Sequence, residues 1–312
     1  MALSVRFEND MRAFILQNLP AHDAAARADM NAQATPDLLI RWVNWAMRFV
    51  PQASRRILAS PEFLANPLTI SPEYRPGVEA LSEAVTVGAD LTPFLSTRIE
   101  TGYKISKSAP FDNRREDLDL LLNAWHIHHL HLSATITKRG DFVDRTKMLL
   151  LAAFLADAAL FINIYPHGAW AKLEIAHILI DNWPNSPLVR EIPGLAGVTH
   201  QSDDDQKLLR NHGIAAPFIE RNGKTYMIGT GPITTAGTSF WATQHAHWLL
   251  ESVRHWASHV EENPDYVTAI LKLNGFAVPE MMDLEFIFMS DFRYGVRERN
   301  TRAIFPFSAE QS

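Results

Sequence analysis

Two hydrophobic rhythms divide the chain. From residue 1 to about 105, apolar side chains recur at spacings of three and four, the repeat that places them on one face of an α-helix. MRAFILQNL, HDAAARADMNAQ and TPDLLIRWVNWAMRFV all follow it, and GVEALSEAVTVG follows it again up to Gly88. Thr35-Pro36-Asp37 is a helix-start signal, with Thr35 as candidate cap and Pro36 in the first turn. Leu38, Leu39, Trp42, Trp45, Ala46 and Phe49 then form a stripe that reads as core rather than as a stacking surface. Pro61, Pro67, Pro72 and Pro76 break residues 59–77 into turns and short pieces.

Between about 110 and 195 the period shortens to two. DNRREDLDLLLNAW leads into WHIHHLHLS, Trp125 to Ser133, which reads as a strand. Alternation puts Trp125, Ile127, His129 and His131 on one face and His126, His128, Leu130 and Leu132 on the other. A polar connection, Thr135 to Thr146, carries Lys138, Arg139, Gly140 and Arg145. KMLLLAAFL and ALFINIYP follow, with Asp157 at the turn between them. Continuous apolar runs of this length also fit a helix; the β-forming residues of ALFINIY and the short turn favour strands. AWAKLEIAHILIDNW reads as a helix stopped by Pro184. The order strand, strand, strand, helix predicts an antiparallel meander with helical cover.

From 196 onward the pattern opens on loop and charge, QSDDDQKLLRNHG. PFIERNGKTYMIG is a hairpin, because Asn222-Gly223 is the favoured pair for a type I′ turn. GTGPITTAGTS follows, then a long helix from about Phe240 to Glu262 ended by Asn263-Pro264. A short helix before Gly275 and two β-like runs, LEFIFMSDFRYGV and RAIFPF, complete the chain, with VRERNTR as their exposed turn. The expected fold class is α+β: a mostly helical lobe at 1–108, then an α+β domain at 109–312 in which the hairpin extends the meander.

Composition narrows the chemistry. A chain of 312 residues, 47% hydrophobic and 21% charged, has the make-up of a soluble globular protein. It has no cysteine, which excludes disulfides, thiolate ligands and thiolate nucleophiles. A net charge of −6 means that any surface for nucleic acid has to be local. No apolar run is long enough to span a bilayer, and MALSVRFENDMRAF lacks the apolar segment of a signal peptide, so a cytoplasmic location is expected.

Four of the 13 histidines stand within WHIHHLHLS. Imidazole both gives and takes a proton near neutral pH, so a pair on a rigid strand suits acid–base work. If the meander forms, His129 and His131, Arg145 and Lys147 where the next strand begins, and His167 beyond the third strand converge. Two imidazoles with nearby cations suit metal-free RNA cleavage. One deprotonates the ribose 2′-hydroxyl, the other protonates the leaving 5′-oxygen, and the cations hold the charged phosphorus centre. The product is a 2′,3′-cyclic phosphate. The expectation is an endoribonuclease of toxin or phage-defence type, without cofactor, acting on RNA and able to meet a protein partner through its helical lobe. The same histidines could instead form a metal site of a hydrolase, with His167 as a third ligand, but no Asp or Glu lies within the motif.

The loop GTGPITTAGTS offers a further reading. Its glycines permit close backbone approach, and Thr234, Thr235, Gly237, Thr238 and Ser239 lead into a helix start, an arrangement that favours phosphate. It lacks the Gly-Lys-Ser/Thr ending of a Walker loop and follows a hairpin, so it is neither that motif nor a dinucleotide fingerprint. A non-catalytic nucleotide- or phosphate-binding module is therefore the alternative, against the plainer one of a hairpin exit with a capped helix. His245, His247, His255 and His259 on the long helix interleave with Trp248 and Trp256 and read as packing residues.

WHIHHLHLS, PHGAW and the NGKTY hairpin with GTGPITTAGTS together resemble uncharacterised bacterial proteins that carry a WxIHHLHLG strand, an HGxW element and a GGGIxTSG loop. The blocks cover roughly residues 118–245; Ser133 replaces the usual Gly, and the loop is less glycine-rich. The meander is topologically similar to the compact fold of barnase, EndoU-type and RelE-type endoribonucleases. That likeness implies an RNase-like sheet and leaves the chemistry to the site.

Overall fold

The computed structural model describes residues 2–105, 118–137, 141–195, 202–212, 216, 218–234, 236–289 and 293–306. Strand β1 (Ala2–Val5) leads into helices α1 (Phe7–Asn18), α2 (Ala24–Ala32) and α3 (Thr35–Ala46). Asp23 caps α2 by accepting the Ala26 amide. On α3 the cap position is Ala34, and Thr35 already belongs to the helix, so Thr35 is not the cap; Pro36 stands in the first turn as expected. Strand β2 (Arg56–Ala59), α4 (Pro61–Leu64) and α5 (Arg75–Val87) follow, and α5 ends at Gly88 in the left-handed region at φ 75°.

Next come α6 (Leu120–Trp125), β3 (His128–His131), β4 (Met148–Phe154), β5 (Ala158–Pro166), α7 (Leu173–Asn182) and β6 (Val189–Glu191). The histidine strand is shorter than its pattern implies, because Trp125 closes a helix and His126 adopts φ 59° as that helix's left-handed cap. Where loop was expected, residues 203–211 form α8 (Asp203–Asn211), started by a capping box between Ser202 and Asp205. The remainder comprises β7 (Ile219–Arg221), β8 (Lys224–Ile228), α9 (Phe240–Glu262), α10 (Pro264–Leu273), β9 (Met281–Phe288), β10 (Tyr294–Glu298) and β11 (Ile304–Pro306). Asn222 and Gly223, both at positive φ, make the turn between β7 and β8.

These elements form an α+β fold with three sheets among the described residues, in the orders β2-β5-β4-β3, β1-β9-β10-β11 and β6-β8-β7. The expected meander is present as antiparallel β3–β4–β5. Two expectations change. The segment expected as a helical lobe, described over residues 2–105, also carries strands: β2 pairs in parallel with β5 and β1 in parallel with β9, so it supplies an edge strand to each four-stranded sheet. The Asn222-Gly223 hairpin does not extend the meander; it pairs with β6 to form its own sheet.

The central sheet is buried on both faces. Leu150, Ala152, Phe161 and Ile164 point into a core with Leu81, Val85 and Phe94, whereas Leu151, Leu160, Ile162 and Tyr165 meet Ile175, Leu179 and Ile228. A third core joins α1, α3 and α9 to the inner face of β9 and β10 through Met11, Leu39, Leu249, Leu284 and Val296. No described helix is long and apolar enough to cross a membrane.

α5 crosses the end of β3 at a glycine. A Cβ on Gly77 would stand 2.2 Å from the carbonyl carbon of Leu132 and 2.6 Å from the Ser133 nitrogen. Gly77→Ala is therefore expected to destabilise the protein by about 3 kcal/mol, because backbone on both sides has to move. At Gly168 a Cβ meets nothing within 4 Å, so alanine there carries only its left-handed backbone, about 1–2 kcal/mol. Thermal or urea denaturation of the two variants checks the order.

Candidate active site

The site grows from the strand that follows α6. Asp119 starts α6 by accepting the Leu122 amide on Oδ1 at 3.1 Å. Its other oxygen, Oδ2, lies 3.3 Å from Nδ1 of His129. His129 side-chain exposure is 30%, and a carboxylate on Nδ1 leaves Nε2 as the nitrogen that can accept a proton.

Next along the same face, His131 is only 2% exposed. Its Nδ1 accepts the Thr146 amide at 3.2 Å, so in the neutral ring Nε2 carries the hydrogen. Burial, and then the positive charge of Arg145, push its pKa down to about 4. His131 is thus a neutral hydrogen-bond donor near pH 7 and not a source of protons. Thr146 also fixes the neighbouring turn, accepting the Leu132 amide on its hydroxyl and donating that hydroxyl to the Met148 carbonyl.

The Thr146 carbonyl in turn receives Nε2 of His167 at 2.9 Å, and a carbonyl only accepts, so that nitrogen is protonated. His167 is exposed, and its ring centre lies 5.6 Å from that of His131. Its amide donates to the carbonyl of Lys147 at 3.4 Å. Arg145 and Lys147 are both exposed at this end of the sheet. The structure therefore gathers His131, Arg145, Lys147 and His167 around Thr146. His129 stands two residues up β3 on the same face, close enough for its charge to act on His131.

The other histidines of the motif are structural. His128 faces the α5 side of the sheet, bonded through Nε2 to the Met47 carbonyl and edge-on to Phe154. Burial and neighbouring His126 lower its pKa to about 3, and burial alone lowers that of His126. Among the described residues no three His, Asp or Glu side chains gather as a metal-binding group.

The glycine-rich loop lies against α6, at the opposite end of β3 from His131 and His167. A Cβ on Gly229 would meet the Ala124 carbonyl and Trp125 Cα at 2.6 Å, so this glycine permits helix–loop contact. Gly237 accepts the Asn123 side-chain amide on its carbonyl, and Ser239 donates its amide to Asn44. Thr234 and Thr238 bond each other, both through hydroxyls and through a backbone bond. The amides of Thr234, Gly237, Ser239 and Phe240 are all engaged within the protein, which leaves none of these pointing at an outside anion. Thr235 lies outside the described residues. On α9, His245 stacks on Trp241 and bonds the Tyr294 hydroxyl, a packing role.

No protein-family model, curated protein or solved structure matches the chain. Two residues of the site have weak sequence signals. Asp119 could have been read as a helix cap before an apolar run, but its second contact needs the strand behind it. The second is Arg210, on α8 and near enough to Asp119 to feel its charge, from the stretch read as loop.

The buried imidazoles set an acid limit on the fold. For His126, His128 and His131 the native pKa lies below that of the unfolded chain, so their neutral forms are favoured by folding. Their contribution is complete above about pH 6.5 and is lost as pH falls, because the unfolded chain takes up protons first. Each such proton removes about 1.4 kcal/mol per pH unit. Denaturant unfolding between pH 7.5 and 4.5 should show a steep loss of stability, and His131→Asn, which retains an acceptor for Thr146, should reduce the slope by about one proton.

Proposed function

We propose that this site cleaves RNA by metal-independent acid–base catalysis. The observation that carries the reading is the ordered set on one sheet face: His129 held through Nδ1 by Asp119, His131 and His167 5.6 Å apart, and exposed Arg145 and Lys147 beside them. In this reading the imidazoles that exchange protons are His129 and His167. His129 is the base, because its free Nε2 is backed by a carboxylate. His167, exposed and bonded through Nε2, delivers a proton from Nδ1. His131, buried and neutral, donates a hydrogen bond between them.

In the reaction, Nε2 of His129 removes the 2′-hydroxyl proton and the 2′-oxygen attacks phosphorus. The P–O5′ bond breaks as His167 protonates the departing 5′-oxygen. Arg145 and Lys147 neutralise charge on the non-bridging oxygens. A 2′,3′-cyclic phosphate and a free 5′-hydroxyl result, so atoms and protons balance. Three imidazole nitrogens already engaged by Asp119 and by the backbone of Thr146 support proton transfer over metal ligation.

Single-stranded RNA incubated with the protein in EDTA should give fragments ending in cyclic phosphate, and DNA of the same sequence, lacking the 2′-hydroxyl, should stay intact. His129→Gln and His167→Gln should each lower the rate about 100-fold or more, the usual worth of a proton-transfer group. A folded sample that leaves every RNA intact, or full activity in both variants, removes the proposal.

A further inference from the structure

α8 is inside out. A short surface helix ordinarily turns its apolar side chains inward. Here Gln206 and Arg210, one turn apart, are fully buried, whereas Leu208 is 59% exposed. The helix is nonetheless well started by its capping box, and Asp203 ties it down by accepting the Leu173 amide at 2.9 Å. So the polar inner face belongs to a properly formed element.

Arg210 is the anomaly at its centre. It is 1% exposed, and Nε, Nη1 and Nη2 all lack a hydrogen-bond partner. Its guanidinium carbon lies over Trp125, 4.0 Å from the ring centre. Asp119 is near enough to act on it electrostatically, but the Asp119 oxygens are spent on Leu122 and His129. Burial lowers the Arg210 pKa to about 9, which still leaves it cationic at neutral pH. One aromatic face returns less than the desolvation of a whole charge costs, and a planar fork whose three nitrogens are buried without a partner matches two oxygens of a phosphate at once.

We propose that Arg210 is an oxyanion receptor that takes a phosphate group, held by the guanidinium on Trp125 beside the Asp119–His129 pair. This rests on the RNA reading only for the identity of the natural ligand, a phosphodiester adjoining the cleaved bond. Access needs a local opening beside the guanidinium, and the Arg210 nitrogens lose no hydrogen bond in it, because they make none.

The test is thermal unfolding of the full chain with inorganic phosphate, against acetate and chloride at matched ionic strength. Wild-type protein should gain stability with phosphate beyond either control. R210M, which removes the unpaired charge but keeps a long side chain on Trp125, should unfold about 2 °C or more above wild type without phosphate and lose the phosphate response. R210K keeps the cation but not the fork, and should bind phosphate at least about 10-fold more weakly. A lower unfolding temperature for R210M with the phosphate response intact would make Arg210 a structural brace and overturn the proposal, as would a phosphate response in R210K equal to wild type. Stabilisation by acetate alone also overturns it. None of these readouts uses RNA cleavage, so a failed cleavage assay and a failed receptor remain separate results.

Discussion

Two-sided burial of β4 and β5 is the constraint from which the rest follows. Every residue of β4 except Met148 is buried, as are most of β5, so neither strand can carry chemistry on either face. Apart from Asn163 and Tyr165 on β5 and Arg56 on the other edge strand, β2, the polar side chains of this sheet lie on the edge strand β3 and in the turns where the sheet ends. On that edge, four histidines in six positions are sorted by the faces they meet. His128 enters the core beneath α5 and is held neutral, while His129 on the opposite face finds Asp119. One apolar sheet thereby gives a run of identical side chains different surroundings and different partners.

The local patterns carried much of this architecture. The meander, the Asn222-Gly223 hairpin and α9, with its bounds at Phe240 and Glu262, follow from period and turn chemistry within a few dozen residues. What escaped was non-local. β1 and β2 have four residues each, and their parallel partners lie far along the chain, so nothing in ALSV or RILA names the strand it will join. α8 escaped for another reason: its buried positions are Gln206 and Arg210, the reverse of the pattern by which amphipathic helices are recognised.

The site divides in the same way. That His131, Arg145, Lys147 and His167 converge followed from assuming a meander, because strand ends meet across tight connections. Their protonation did not. Whether His131 is an acid or a neutral donor depends on the Thr146 amide and on surrounding apolar area, which spacing does not show. The glycines of residues 229–237 made the loop look like an anion cradle. Two of them instead remove side chains where it crosses other parts of the protein: Gly229 against Trp125 and Gly237 against Leu118. Close approach was a sound inference; its object was the protein itself.

The parallel pairing of β1 with β9 sets a timetable for synthesis. Ala2 aligns with Met281 and Val5 with Leu284, so β1 waits until residues 281–284 have been made before its neighbour exists. The central sheet needs only residues up to Pro166. During translation the half bearing the imidazoles can close while α1 and α3 still expose the apolar faces that β9 will cover. Those apolar faces stay uncovered longest during synthesis, because closing them takes contacts of high sequence separation.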